Sequence, residues 1–431
     1  MPARRPGVLT DLVLLLSALL FACAPQAVAA GHTSPRGTAS GFELAARSAT
    51  EQCRRPPVKT ARARPWAQEM LAPERVRELT RGAGVTVAVV DSGVDATTPQ
   101  LAGAVLDGVD VLSDGGGTAD TDCLGHGTFV AGIIAARPAE GTGFTGVAPA
   151  ATILPVRDTR SKEGGSAESM ARGIRAATEA GAQVINISAS TNYDDAALRD
   201  AVEYALSRDV LIVAAAANEA QRGNPVPYPA SYPGVIAVGA IDPAGERAEF
   251  SQTGKFIDLV APGVDVVSVG PGGPGHWQDS GTSFAAPFVS GTAALVRAYH
   301  PELTAAQVRH RLTSTARHPG TEVPDEATGW GVVDPYSAVT SVLHAGQQET
   351  ESGAGTVRVA HPDVPRDDPT PMRVVLISTV GVTLLISLAA IGARLGPAGW
   401  RRGWRRHRVV RVVDGAGADR TVEERSHVSA R

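Results

Sequence analysis

The stretch Val87-Ala88-Val89-Val90-Asp91-Ser92-Gly93 decides the fold: an apolar run with no polar face that ends on a carboxylate. A strand that alternates apolar and polar residues covers one face of a sheet, whereas an unbroken apolar run is buried on both faces, as inner strands of parallel sheets are. Reading outward, runs of the same kind recur at Val85–Val90, Ile153–Val156, Val184–Ile187, Val210–Ala216 and Val235–Val238. Between them lie helical patterns, Ser166–Ala180 with Met170, Ile174 and Ala177 on one face, and Asp194–Ser207. Strands alternating with helices predict an α/β fold, a mostly parallel sheet with helices on both faces. The pattern runs on through a helix starting near Ser283 and a final helix around Thr304–Ala316, and fades near Val342. The domain is therefore expected over residues 81–345, and no internal repeat is seen.

Asp91 stands where a buried strand ends, and in open α/β sheets sites form beyond the carboxyl ends of the strands. Two further segments place chemistry at helix starts. Gly125-His126-Gly127-Thr128 opens an Ala/Ile-rich helix, Phe129–Ala136, and Gly281-Thr282-Ser283-Phe284-Ala285-Ala286-Pro287 opens another. Taken singly, these are a strand-end carboxylate, a tight turn and an N-cap serine. Taken together they suit nucleophilic catalysis. A serine hydroxyl attacks only when an imidazole takes its proton, and a buried carboxylate holds that imidazole in the required tautomer. A helix N-terminus under Ser283 aims backbone N–H groups at a developing oxyanion. Pro287 is expected in the first turn of its helix, where its missing N–H costs little. Asp91, His126 and Ser283 are thus the expected catalytic residues.

The order Asp, His, Ser with these flanks is the subtilisin order, and residues from about 80 to 342 resemble the subtilase family. Within that family the resemblance is closer to the mycosins, membrane-anchored subtilases of type VII secretion systems. It implies a subtilisin-like fold and hydrolysis of a protein or peptide substrate by a serine endopeptidase. Val213-Ala214-Ala215-Ala216-Ala217-Asn218-Glu219 is similar to the family segment whose asparagine side chain completes the oxyanion hole, which implies that role for Asn218 alongside Ser283. Ala217 stands where the family usually has glycine, so its methyl is expected to narrow the pocket floor. Val184-Ile185-Asn186-Ile187-Ser188-Ala189-Ser190 resembles the strand that pairs with extended substrate, which makes Ser188, Ala189 and Ser190 expected substrate-binding residues; Ser190 replaces the usual glycine. The resemblance implies a type VII secretion membrane complex as partner. A structural subunit of such a complex with secondary proteolysis, or a general degradative protease of the cell surface, are the competing readings.

Two segments look built for a membrane. Arg4 and Arg5 precede the apolar run Leu12–Ala22, and Ala27-Val28-Ala29 follows as a small-residue cleavage site, the order of a secretory signal peptide over residues 1–29. A retained anchor and lipidation at Cys23 are the alternatives. Val374–Ala393 is a run of 20 residues without a charge, long enough to cross about 30 Å of hydrocarbon. Arg394, Arg401, Arg402, Arg405, Arg406, Arg408 and Arg411 follow it, with Asp367 and Asp368 on the other side. The positive-inside rule puts that basic tail, residues 395–431, in the cytoplasm, after a transmembrane helix at 373–394 and a solvated linker at 346–372. The body of the protein is then expected outside the cell membrane.

Composition agrees: hydrophobic residues make up 43% and charged residues 19%, enough for a real core, and the net charge of −4 argues against a nucleic-acid partner. Once a signal peptide is removed, only Cys53 and Cys123 remain, and an even pair outside the cytoplasm favours a disulfide over two free thiols. Such a bridge would tie the extension at residues 30–80 beside His126. That extension is too short and irregular for a cleavable pro-domain, and the resemblance implies that it stays attached and wraps the catalytic domain. No cofactor is implied. Asp114, Asp120, Asp122, Asp194 and Asp195 lack a recognisable calcium-ligand spacing and are expected to be solvated loop carboxylates, with no metal bound.

Overall fold

A computed structural model of the chain describes residues 53–161, 164–318, 322–343, 357–358, 381–385 and 387. The expected signal peptide and basic tail lie outside these residues, as do residues 30–52 of the extension and most of the linker. Of the expected span only 381–385 and 387 are described, and they are helical and exposed. Among the described residues no helix is long and apolar enough to cross a membrane.

In chain order the elements are α1 (Trp66–Leu71), β1 (Thr86–Asp91), β2 (Val109–Asp110), α2 (His126–Ala135), β3 (Thr152–Arg157), α3 (Ala167–Glu179), β4 (Val184–Ile187), α4 (Ala196–Ser207), β5 (Leu211–Ala215), β6 (Ile236–Ile241), β7 (Leu259–Pro262), β8 (Val266–Val269), β9 (His276–Asp279), α5 (Thr282–Tyr299), α6 (Ala305–Ser314), β10 (Glu322–Val323), α7 (Pro335–Thr340) and β11 (Val357–Arg358). These residues fall into two units. The second unit is described only at residue 318, the antiparallel pair β10–β11 and the short helical stretch at 381–385 and 387.

In the first unit, β1 to β7 form one sheet in the order β2-β3-β1-β4-β5-β6-β7, with every pairing parallel. The apolar runs predicted this because both faces are covered. Val87 and Val89 of β1 point into one core with Phe129 and Ile133 of α2 and Phe288 of α5, while Ala88 and Val90 point into the other with Met170, Ile174 and Leu198 of α3 and α4. Side-chain caps fix the helix starts: Ser166 accepts from Ser169 N–H, Asp195 from Leu198 N–H, and Thr304 forms a capping box with Gln307. Helix α6 ends sooner than the sequence reading placed it, and α7 follows, opened by Asp334 as N-cap and Pro335.

The strand order reverses at one place. From β1 the chain turns to one side, toward β2 and β3; from β4 it turns to the other, toward β5, β6 and β7. The loops beyond β1 and β4 therefore part, leaving a crevice at their carboxyl ends. Asp91 closes β1 there, and Ser188 follows β4 directly.

Residues 53–66 run as a strap over the β8–β9 hairpin. Arg54 N–H donates to Cys123 O, His276 N–H to Lys59 O at 2.7 Å, Gly143 N–H to Ala61 O, and the Trp66 indole N–H to Val264 O. Burial lowers the His276 imidazole to about 4, so at neutral pH its Nδ1 is free to accept from Ala61 N–H while Nε2–H donates to Gln100 Oε1 at 2.9 Å. The strap is pinned at its start by a disulfide between Cys53 and Cys123, 70 residues apart.

Candidate active site

The crevice opens as a cleft of about 840 Å³ whose lining includes Asp91, His126, Ser283 and Asn218, together with Ser188, Ala189, Ser190 and Ala217. All residues singled out in the sequence for catalysis and substrate binding therefore share one cavity.

Asp91 is 5% exposed, and each of its carboxylate oxygens lies 2.8 Å from His126 Nδ1. Ser92 N–H also donates to its Oδ1 at 2.7 Å. An ionised carboxylate accepts only, so Nδ1 carries the proton and Nε2 is left as the basic nitrogen. Burial alone would pull the imidazole down; the charge and hydrogen bond of Asp91, with Asp122 and Asp279 behind them, outweigh it and hold the His126 pKa above its ordinary value.

Asp122 overturns one expectation. It is not a solvated loop carboxylate but a buried one that organises the start of α2. Its Oδ1 accepts from Gly125 N–H and Ser92 Oγ–H, and its Oδ2 from both the N–H and the hydroxyl of Thr128. Helix α2 has no side-chain cap at Gly125, and Asp122 supplies one from three residues upstream. Burial pushes its carboxyl up against these bonds. Gly125 is required here, since its φ is +79° and a β-carbon would sit 2.4 Å from the Trp277 ring. Asp194 and Asp195 are also engaged: Asp194 pairs with Arg199 and accepts from the Tyr232 hydroxyl, and Asp195 caps α4. Among the described residues no group of His, Cys, Asp or Glu could hold a metal ion.

Ser283 is the second residue of α5 and 8% exposed. Its N–H lies in the first turn, where no carbonyl of the helix is available to it. Pro287 corrects a second expectation: α5 begins at Thr282, so the proline is its sixth residue and lies past the first turn. The N–H it lacks would have bonded Ser283 O. That carbonyl instead accepts from Ser188 Oγ at 3.0 Å, while Ser188 Oγ accepts from Asn186 Nδ2 at 2.9 Å and Asn186 Oδ1 accepts from Ser290 Oγ at 2.8 Å. A proline inside the helix thus frees the Ser283 carbonyl to tie α5 to the end of β4.

Asn218 Oδ1 accepts from Thr282 N–H at 2.8 Å and from Thr282 Oγ1 at 3.0 Å. With the oxygen so held, the amide presents its donor, Nδ2, to the cleft. A methyl built on Gly281 would lie 3.1 Å from Ser283 Oγ and 3.5 Å from Asn218 Nδ2, so the serine hydroxyl and the amide both border one small space. Ala217, just before it, holds φ +65°. Pairing of β4 with both neighbours stops at Ile187, so Ser188–Ser190 continue beyond the sheet along the cleft. A β-carbon on Gly164 would lie 3.6 Å from that of Ala189, so residues 164–166 flank the same stretch of cleft.

One lining residue went unread in the sequence. Asp158 follows β3, is 1% exposed, and neither carboxylate oxygen has a hydrogen-bond partner among the described residues. Its N–H donates to Asp91 O at 3.0 Å. Burial, with the charge of Asp91 added, pushes its carboxyl up to about 8. The available signal was a carboxylate just past the end of an apolar strand, much as Asp91 closes β1.

A parallel sheet with a switch-point crevice, holding a carboxylate-bound histidine and a helix-start serine, defines a subtilisin-type serine endopeptidase. The chain belongs to the subtilase family, whose profile matches residues 82–331. Among its relatives, Mycosin-1 of Mycobacterium tuberculosis (strain ATCC 25618 / H37Rv) is 36% identical over 387 residues, 77% of this chain and 85% of that protein. Subtilisin E of Bacillus subtilis (strain 168) is 40% identical over 246 residues, 56% of this chain and 62% of that protein. The crystal structure of MycP1 from the ESX-1 type VII secretion system superposes with a TM-score of 0.60 at 34% identity, covering 69% of this chain and 92% of that one. The chain is a mycosin-like subtilase.

Proposed function

We propose that the protein is a membrane-anchored endopeptidase that cleaves its protein substrate outside the cytoplasm through an acyl-enzyme, with Asp91, His126 and Ser283 as its triad, and that it serves a type VII secretion system. The observation that carries the catalytic reading is the Asp91–His126 pair at 2.8 Å, in a cleft that also holds Ser283 and the oriented amide of Asn218.

Ser283 Oγ attacks the substrate carbonyl carbon while His126 Nε2 takes its proton; Asp91 stabilises the imidazolium that forms. Charge gathers on the carbonyl oxygen, where Asn218 Nδ2 and Ser283 N–H donate to it. The C–N bond then breaks as His126 returns the proton to the departing amine. Water repeats the sequence on the ester: His126 takes its proton, the acyl group leaves as a carboxylic acid, and Ser283 Oγ recovers its hydrogen. Extended substrate lies along Ser188–Ser190 as an added strand, with Ala217 under the residue before the scissile bond. The strap from Cys53 remains part of the mature enzyme.

The secretion role is supported by the likeness to MycP1 of the ESX-1 type VII secretion system, and the anchoring by the order of apolar and arginine-rich segments around residues 374–411. A charged, membrane-impermeant fluorophosphonate added to intact cells tests both parts. It should label the protein at Ser283, and Ser283→Ala should abolish the label while leaving the protein folded. Labelling of the variant at the wild-type level refutes the nucleophile. Labelling only after lysis refutes the location.

A further inference from the structure

We propose that Arg54, brought to the cleft by the strap, is a specificity-determining residue that selects an acidic side chain on the leaving-group side of the scissile bond. This rests on the catalytic reading above. In that reading the acyl half of the substrate lies along Ser188–Ser190 and the leaving half runs past His126, where Arg54 and Asp279 also line the cleft. Arg54 is stacked on the Trp277 ring, which packs against Gly125.

Arg54 is held there at three points. Its neighbour Cys53 is bridged to Cys123, its own N–H donates to Cys123 O at 2.9 Å, and its guanidinium lies 3.8 Å over the Trp277 ring. Trp277 in turn packs on Gly125, the residue before His126. A side chain fixed in this way has already lost much of the freedom that a surface arginine would give up on binding.

Its hydrogen-bonding capacity is unspent. Asp279 approaches only to 3.6 Å, and the Oδ1 of that carboxylate already accepts from Ser280 N–H at 2.9 Å. Among the described residues the Arg54 guanidinium donates no hydrogen bond. Stacking occupies the flat face of a guanidinium and leaves the N–H groups around its edge available, in the fork that matches a carboxylate. Asp279 and Arg54 face each other as an ion pair, so charge alone favours neither sign here; what distinguishes the pair is the set of guanidinium N–H donors that Asp279 does not hydrogen-bond. The unused donors suit an acceptor that can take two N–H groups at once, which is a carboxylate.

Both side chains keep contact with water, with relative exposures of 45% for Arg54 and 42% for Asp279, so the preference should be about two- to fivefold in kcat/KM, reduced by salt. The test is digestion of a randomised peptide library by the full-length protein in detergent, with the residues that begin each product peptide read by mass spectrometry. Wild type should enrich Glu and Asp over Lys at the first or second leaving-side position. Arg54→Glu should invert that ratio, and Arg54→Gln, which keeps most of the stem and the fold, should bring it to unity. An unchanged ratio in Arg54→Gln overturns the proposal while leaving the catalytic reading intact. If wild type cuts no peptide at all, the catalytic reading falls and the proposal with it.

Discussion

Ala217→Gly should stabilise the protein, against the usual direction of that substitution. Replacing alanine by glycine in ordinary backbone loses about 0.5–1 kcal/mol, because glycine gives up more freedom on folding. Ala217, however, holds φ +65°, where an L-residue's β-carbon crowds the following carbonyl at a cost of roughly 1–2 kcal/mol. Relief of that strain exceeds the entropic loss of about 0.4–1 kcal/mol, leaving a net gain of about 0.5–1 kcal/mol. For a unit of this size the gain corresponds to a rise of about 1–3 °C in Tm, which differential scanning calorimetry resolves. The same methyl lines the cleft beside Asn218. Its loss should deepen the pocket for the residue before the scissile bond and raise the kcat/KM ratio of Phe over Ala at that position by roughly tenfold. A lower Tm refutes the strain argument. A raised Tm with the same Phe-to-Ala ratio refutes the placement of Ala217 in the pocket floor.

Cys53→Ser opens a loop of 70 residues' separation, worth roughly 4 kcal/mol by chain entropy; it should lower Tm and expose residues 54–65 to added protease, and an unchanged digestion pattern would show that the remaining strap contacts suffice. Asn218→Ala should reduce kcat by roughly 10²–10³ with KM little changed, a magnitude carried over from the same donor in a subtilisin, and unaltered turnover removes Asn218 from the oxyanion hole. Asp158 has a folded pKa of about 8 against about 3.9 when unfolded, so the folded chain binds the extra proton between those values and stability falls as pH rises through that window. Asp158→Asn should remove this slope and leave the variant more stable than wild type at pH 9; equal chemical-denaturation midpoints of the two proteins at pH 6 and pH 9 would contradict it.

The sheet was legible because burial on both faces demands near-continuous apolar runs, and Val87–Val90 and Val184–Ile187, the latter broken only by Asn186, are too short for a buried helix and too apolar for a strand with one wet face. That Asp91, His126 and Ser283 share one cleft could be anticipated because each stands at a junction between an apolar run and a turn. Less could be read where tertiary pairing decides. Val109–Asp110 is too short to carry a period, and the β8–β9 hairpin forms where Gly270, Gly272, Gly273 and Gly275 let the strap approach. Asp122 looked like any loop carboxylate because its partners, Ser92 and Thr128, come from two other segments. Pro287 was misplaced by a turn because Gly281 and Thr282 carry no side-chain cap to mark where α5 begins. The orientation of Asn218 depends on Thr282, far along the chain, and no local pattern reports it.

Helix α5 carries Ser283, and every residue from Thr282 to Val296 is buried, packed on β4, β5, β6 and β7. This sets the order in which the enzyme comes alive. As the chain emerges from its N-terminus, Asp91 and His126 appear early, but Ser283 belongs to a segment that cannot settle until four strands are already in place to receive it. Contacts so distant along the chain form late in folding. On the proposed mechanism, a chain not yet folded this far holds Asp91 and His126 and has no serine beside them to activate. On that mechanism, activity depends on the same helix that fills the core.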